Sequence, residues 1–184
     1  MKNWTHLAAG VALFVGAAFG AADEAEAQQR NFVFGASTGA VFPTGELSDV
    51  YEAGLHLDAH LEFPTLGALP FGLRAEAGWQ RFSHDDDALR FLSGRVNAIL
   101  PFAVAPDATP YLVAGLGMYN LDGHFPHGDH THADESETLF GINVGVGVTY
   151  PIGGLNTFVE ARFHNLFDDG ESFRFVPLSL GIRF

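Results

Sequence analysis

From residue 31 onward the chain alternates apolar and polar residues with a period of two, in successive runs that end at Gly, Pro, Asp or Ser clusters. A period of two places neighbouring side chains on opposite faces of an extended chain, so each run predicts a β-strand with one apolar face. No helical stripe persists after residue 30, which predicts an all-β fold. The predicted strands are 31–42, 54–63, 71–82, 89–100, 110–121, 138–150, 155–167 and 174–184.

The second and fifth predicted strands illustrate how the two faces are assigned. In the second, Leu55, Leu57, Ala59, Leu61 and Phe63 alternate with His56, Asp58, His60 and Glu62. The fifth, PYLVAGLGMYNL, is ambiguous because both of its faces contain apolar residues. There we assign Leu112, Ala114, Leu116 and Met118 to the outer face and Gly115, Gly117 and Tyr119 to the inner face.

Strands with one apolar face can close into a soluble lipocalin-like barrel, with that face inside, or into a membrane barrel, with that face toward lipid. The polar face is rich in small residues, and the only lysine of the chain is Lys2, whereas a solvated exterior usually carries lysine. The polar face also carries balanced charges, namely Asp58, Glu62, Glu76, Glu160, Arg74, Arg95, Arg162 and Arg183. These features favour a crowded polar interior and a lipid-facing apolar exterior.

Aromatic residues lie near the strand ends on the apolar face, where rings collect at a membrane boundary. They are Phe32, Phe34, Phe42, Phe63, Phe71, Trp79, Phe140, Tyr150, Phe167 and Phe184. The acids are also unevenly placed, since 14 of the 22 lie in four alternate connections, at 43–53, 83–88, 122–137 and 168–173. The connections at 64–70, 101–109 and 151–154 together contain one acidic residue, Asp107. We therefore expect acidic extracellular loops at one end and short periplasmic turns, with both termini, at the other.

Residues 1–27 have the pattern of a cleavable secretory signal peptide, which leaves a barrel domain over 28–184. Lys2 and His6 precede an apolar stretch from Leu7 to Ala22, and Ala25-Glu26-Ala27 offers a cleavage site. A retained N-terminal anchor is the alternative. The chain has no cysteine for disulfides or thiolate metal ligands, and its formal net charge of −13 argues against nucleic acid as a partner.

The signal, the eight strands and the terminal Phe184 of LSLGIRF together resemble the small OmpA/OmpX-type outer-membrane β-barrels. GASTGAVFPTGEL and TFVEARF are similar to segments of the broad outer-membrane β-barrel group. The resemblance implies an eight-stranded antiparallel up-and-down transmembrane β-barrel in the outer membrane. It also implies escort by periplasmic chaperones, insertion by the barrel-assembly machinery, and contact with outer-membrane lipids and lipopolysaccharide. We expect a monomer.

The inward charges favour a structural network, because an eight-stranded barrel leaves an interior that side chains can just fill. The forked guanidinium of arginine satisfies carboxylates in a confined space, and His56, His60 and His164 complete the inner face. A gated conductance path, such as a narrow small-solute channel, or a proton relay are the alternatives.

The connection DGHFPHGDHTHADESE, residues 122–137, is the most distinctive segment of the chain. Its histidines follow the spacing H-x2-H-x2-H-x-H. Neutral imidazoles together with carboxylates suit Zn²⁺, Ni²⁺ or Cu²⁺, although no dedicated metal motif is matched. The candidate ligands are His124, His127, Asp129, His130 and His132. A hydrated surface loop and a pH-responsive loop are the alternatives. The run Asp85-Asp86-Asp87 offers at most weak Ca²⁺ or Mg²⁺ binding.

Catalysis is not expected. The segment Ala161-Arg162-Phe163-His164-Asn165 faintly resembles the His-containing strand of lipid A deacylase barrels, a family with a nucleophilic Ser two residues after its His. Here that position is Leu166, and no nucleophile, base and orienting group can be assembled. The sequence therefore predicts a structural or surface-interaction protein without a catalytic site or a dedicated cofactor.

Overall fold

The computed structural model describes residues 32–64, 69–84, 87–102, 107–122, 137–168 and 171–184. Eight antiparallel strands follow one another around a closed barrel, and the last pairs with the first. This confirms the predicted fold class. The strands are β1 (Val33–Thr44), β2 (Glu52–Phe63), β3 (Gly72–His84), β4 (Asp87–Pro101), β5 (Thr109–Asp122), β6 (Glu137–Ile152), β7 (Leu155–Asp168) and β8 (Glu171–Arg183).

The connections between strands fall at two ends of the barrel. The loop end carries connections 45–51, 85–86, 123–136 and 169–170, and the turn end carries 64–71, 102–108 and 153–154. A short 3₁₀ helix, Gly45–Asp49, follows β1 at the loop end. At the turn end β6 and β7 are joined by Gly153 and Gly154, whose φ angles of 58° and 85° are those of a tight two-residue hairpin turn.

Several strands reach further toward the loop end than the alternation predicts. β1 ends at Thr44 rather than at residue 42, β4 begins at Asp87 rather than at 89, and β8 begins at Glu171 rather than at 174. The backbone ladder can continue into water, where the outer face no longer has to be apolar. Period-two patterning therefore indicates only the part of each strand that lies against an apolar medium.

The barrel carries its apolar residues outside, as predicted. Leu57, Val146 and Leu180 expose 53 %, 57 % and 58 % of their surface. From Phe140 to Tyr150 the outer face of β6 advances about ten residues, or roughly 26 Å along the barrel axis at ~3.4 Å per residue and a tilt near 40°. This matches the ~25 Å apolar band of outer-membrane barrels. The soluble-barrel alternative requires these side chains in the interior, and the structure places them outside.

Helical segments contribute little to the described chain. No helix within these residues is long and apolar enough to cross a membrane. The predicted signal segment, residues 1–27, lies outside the described residues.

Candidate functional site

The charges predicted to face inward all lie in the barrel interior. The four carboxylates are 1–5 % exposed, and Arg74, Arg95 and Arg162 are 0–3 % exposed. The Arg183 side chain, near the turn end, is 12 % exposed. Four acids thus meet four arginines, so the formal charges in this set balance without a counter-ion.

Arg74 on β3 is the first centre of this network. Its Nε and Nη2 lie 3.0 Å and 2.9 Å from Glu62 Oε2 on β2. Its Nη1 lies 2.8 Å from Glu160 Oε2 on β7. A guanidinium that contacts two carboxylates at these distances is held in one position.

Glu76 on β3 is the second centre. Arg162 on β7 donates to both of its carboxylate oxygens, from Nη1 at 2.5 Å and from Nη2 at 3.0 Å. Arg95 Nε lies 3.3 Å from Glu76 Oε2, and Asn97 Nδ2 donates to the same oxygen at 2.8 Å. Arg74 Nη1 also lies 3.4 Å from Glu76 Oε1. Three arginines and one asparagine thus surround one buried carboxylate, and each loses a partner if that charge is removed.

These contacts join opposite walls of the barrel. β3 and β7 are four strands apart in a closed ring of eight, so the pairs Arg74–Glu160 and Arg162–Glu76 cross the lumen. A buried charge that loses its partner costs several kcal/mol, about 3–5 in measured cases. The two cross-lumen pairs therefore fix the wall-to-wall distance and occupy the middle of the interior.

A Ser–His–Asp arrangement lies beside this network. His56 Nδ1 is 2.8 Å from Asp58 Oδ2, and His56 Nε2 is 3.2 Å from Ser179 Oγ. His56 reaches β8 by passing over Gly39 of β1, where an added Cβ would lie 3.0 Å from Nε2. The order of groups is that of a hydrolase triad, but Ser179 is 3 % exposed and Asp58 also pairs with Arg95. Because Ser179 is enclosed, these three side chains form part of the hydrogen-bonded packing of the interior.

His164 faces inward, as predicted. It is fully buried, its Nδ1 lies 2.8 Å from the Tyr119 hydroxyl, and its ring stacks on Phe175 at a centroid distance of 4.7 Å. Leu166, at the position of the serine in the deacylase pattern, is also fully buried. The faint similarity to the deacylase strand therefore falls on interior packing.

An apolar plug fills the loop-end part of the interior, and this corrects the expectation of a polar face along the whole barrel. Phe82, Phe91 and Phe175 pack ring against ring, with centroids 5.6–5.8 Å apart. We call the whole buried set the loop-end plug: Val41, Leu47, Tyr51, Phe82, Leu89, Phe91, Tyr119, Leu121, Leu139, Leu166 and Phe175. Phe82, Phe91 and Phe175 occupy positions that the alternation assigns to the inner faces of their strands. The sequence therefore contains a signal for apolar packing in this part of the interior.

The turn-end part of the interior is aromatic around one guanidinium. The Arg183 side chain lies over the rings of Tyr111 and Phe158, 5.1 Å and 5.0 Å from their centroids. The Tyr111 hydroxyl donates to Glu160 Oε2 at 2.7 Å, which connects this layer to the central charges. The described interior thus has an ionic middle between two layers rich in aromatic rings.

The predicted metal ligands lie outside the described residues. These are His124, His127, Asp129, His130 and His132, all within 123–136. Within the described part of the chain, no group of three or more His, Asp or Glu side chains is placed to hold a metal ion.

Comparisons with known proteins agree with the architecture. No family model and no curated protein matches the chain. Among solved structures, Neisserial surface protein A (NspA) is 18 % identical with a TM-score of 0.62, over 83 % of this chain and 96 % of that one. The outer membrane enzyme PagL is 18 % identical with a TM-score of 0.52, over 83 % of this chain and 98 % of that one. The N-terminal β-barrel domain of Pseudomonas aeruginosa OprF is 16 % identical with a TM-score of 0.49, over 85 % and 100 %.

The structural similarity to NspA and PagL establishes the fold, but at 18 % identity it leaves the activity of this chain open. The exterior supplies the second argument, because its exposed apolar band requires an apolar surrounding medium. The chain therefore has the fold of the small eight-stranded outer-membrane β-barrels, and its apolar exterior places the barrel in a membrane.

Proposed function

We propose that this barrel has a structural and surface-interaction role in the outer membrane, with the loop end outside the cell and the turn end in the periplasm. The observation that carries the proposal is the filled interior, in which charges bridge β3 and β7 and aromatic rings pack at the loop end. A barrel built this way offers its wall to lipid and its loops to partners, rather than offering its lumen to solutes.

A channel function predicts a steady ionic current through the barrel, whereas a filled interior predicts none. We expect the refolded barrel to show no steady conductance in a planar lipid bilayer, because a solute would have to break buried ion pairs and then displace packed rings. Faster migration of the unheated protein on a gel verifies that the barrel is folded, so that silence is not mistaken for failed refolding. Stepwise currents from verified folded barrels would contradict the proposal.

The loop end supplies the interaction surface. Most of the acids lie in or beside its connections, so this end presents negative charge to cations and to basic partners. Assembly in the cell is proposed to use periplasmic chaperones and the barrel-assembly machinery, and the inserted barrel is proposed to be a monomer among outer-membrane lipids and lipopolysaccharide. These proposals rest on the shared fold.

The histidine-rich connection supports a second candidate function, metal binding at the surface. The supporting observation is the spacing of His124, His127, His130 and His132 around Asp129. A calorimetric titration with Zn²⁺ compares the refolded protein with a variant in which all four histidines are replaced by alanine. A saturable heat in the wild type and none in the variant would support metal binding, and equal heats would remove it.

Lipid hydrolysis is the enzymatic alternative, and one solved neighbour is described as an outer membrane enzyme. The described interior gives no support to it, since Ser179 and His164 are enclosed. We therefore expect lipopolysaccharide incubated with the folded barrel to keep all its acyl chains, as read by mass spectrometry. Loss of an acyl chain would overturn a purely structural role.

A further inference from the structure

We propose that Arg81 and Arg90 form a binding site for the phosphate of an anionic membrane lipid on the outer wall of the barrel at the loop end. The proposal rests on the membrane-embedded role above and adds a specific lipid contact to it.

The two arginines are neighbours across one strand pair. Arg81 on β3 and Arg90 on β4 are direct partners in the antiparallel register, and both side chains are exposed. Directly opposite residues place their Cβ atoms about 4.5–5.5 Å apart on the same face of a sheet. Arg81 follows Trp79 in the outward phase of β3, so that shared face is the outer one.

Two like charges in this arrangement repel each other, and directly opposite like charges destabilise a sheet. Among the described residues neither guanidinium has an ion pair, and Glu52 is placed opposite Ser83 rather than opposite Arg81. The register partner of Arg90 on β5 is Asp122, whose side chain is not among those described. An anion held between the two arginines would replace their repulsion with attraction on both sides.

Phosphate is the anion that best fits this pair. A guanidinium presents N–H groups in a planar fork that matches two phosphate oxygens, and two adjacent forks can hold one phosphate from both sides. A phosphate monoester has three terminal oxygens to share between the two guanidinium groups, whereas a carboxylate has only two.

The depth of the pair favours a lipid phosphate over a free one. One outward position closer to the membrane middle lie Trp79 and Leu92, which are register partners and expose 39 % and 49 % of their surface. Leu55 on β2, the other register partner of Arg81, exposes 65 %. Apolar side chains therefore flank the arginines on the membrane side, where the acyl chains of a bound lipid would lie. The guanidinium groups reach the headgroup layer, where arginine side chains extend toward water.

Trp79 also supplies the readout. The chain contains two tryptophans, and the other is Trp4 in the predicted signal segment. A full-length chain with Trp4→Phe has Trp79 as its only tryptophan, two residues from Arg81 on the same outer face. Lipids with brominated acyl chains quench tryptophan fluorescence on contact, so Trp79 reports which lipid lies beside it.

The experiment compares two brominated lipids at equal mole fraction in vesicles of unbrominated phosphatidylcholine that contain the refolded Trp4→Phe chain. We expect brominated phosphatidic acid to occupy the site beside Trp79 about fivefold more strongly than brominated phosphatidylcholine. The double variant Arg81→Gln/Arg90→Gln should reduce this preference to near one. Arg174→Gln is the matched control, since Arg174 is an exposed arginine on β8 that donates to Asn165 Oδ1 at 3.0 Å, and it should leave the preference intact.

The outcomes separate the proposal from the function on which it rests. If brominated phosphatidylcholine does not quench Trp79, the outer wall is not in lipid and the membrane-embedded role itself fails. If it quenches but phosphatidic acid shows no preference, or if the double variant keeps the preference, only the lipid site is overturned. Loss of the preference on adding millimolar inorganic phosphate would also overturn it, because the site would then bind the free anion.

Discussion

At the scale of single residues, glycines on the inner face let large side chains cross from one strand to another. Tyr111, Gly147 and Glu160 lie at one level of β5, β6 and β7, and Tyr111 passes over the glycine to reach the glutamate. Alternation predicts that these residues point inward. It contains no information on the register between strands, so the tyrosine–glutamate contact could not be predicted from the sequence.

Gly147→Ala tests this close approach. A Cβ at position 147 would overlap the Tyr111 ring, so we expect the free energy of unfolding in urea to fall by about 1–3 kcal/mol. Gly94→Ala is the control, because that outward position has open space around it and the change should be close to neutral. Equal effects of the two substitutions would contradict the assigned packing.

Glu76→Gln tests the ionic middle of the barrel. The change keeps the shape of the side chain and removes the charge that faces Arg162, Arg95 and Arg74, so we expect a loss of about 3–5 kcal/mol in unfolding free energy. Glu52→Gln, at an exposed carboxylate at the loop end of β2, should change stability by less than about 0.5 kcal/mol. A loss near zero for Glu76→Gln would show that this carboxylate is not the hub of the network.

At the scale of elements, the 3₁₀ helix and the loop-end plug belong together. The helix contributes Leu47, which is 4 % exposed, and the Tyr51 amide donates to the Leu47 carbonyl at 2.9 Å. The segment 43–53 has the composition of an acidic loop because Glu46, Asp49 and Glu52 dominate it. The two buried residues of this segment, Leu47 and Tyr51, are isolated in the sequence and belong to no periodic apolar pattern. No sequence pattern therefore predicts that this loop packs onto the barrel.

Leu47→Ala should loosen this element. Removing a buried leucine side chain costs about 2 kcal/mol or more, and we expect faster hydrogen exchange at the Tyr51 amide together with that loss. Leu69→Ala is the matched control, since Leu69 is 49 % exposed in the connection after β2. Unchanged exchange at Tyr51 would indicate that the helix does not depend on the plug.

At the scale of the whole molecule, two features could be predicted from the sequence. The number of strands follows from local alternation, and the outward direction of the apolar face follows from the absence of lysine on the polar face. The charges predicted to face inward did so for the same reason. The division of the interior into an ionic middle and a loop-end plug depends on which residues meet across the lumen. Strands separated by more than a hundred residues contribute to it, as His56 and Ser179 illustrate, and alternation within one strand carries no such information.

The most direct test of the outward apolar face is site-directed spin labelling, which the absence of native cysteine makes simple. Single cysteines at Leu57, Val146 and Leu180 probe the outer wall, and one at Ser48 probes the exposed loop end. In lipid vesicles we expect labels on the wall to collide more with oxygen, which concentrates in the hydrocarbon, than with a water-soluble nickel complex, and the label at position 48 to show the reverse. Nickel accessibility on the wall as high as at position 48 would place the wall in water and contradict a membrane-spanning barrel.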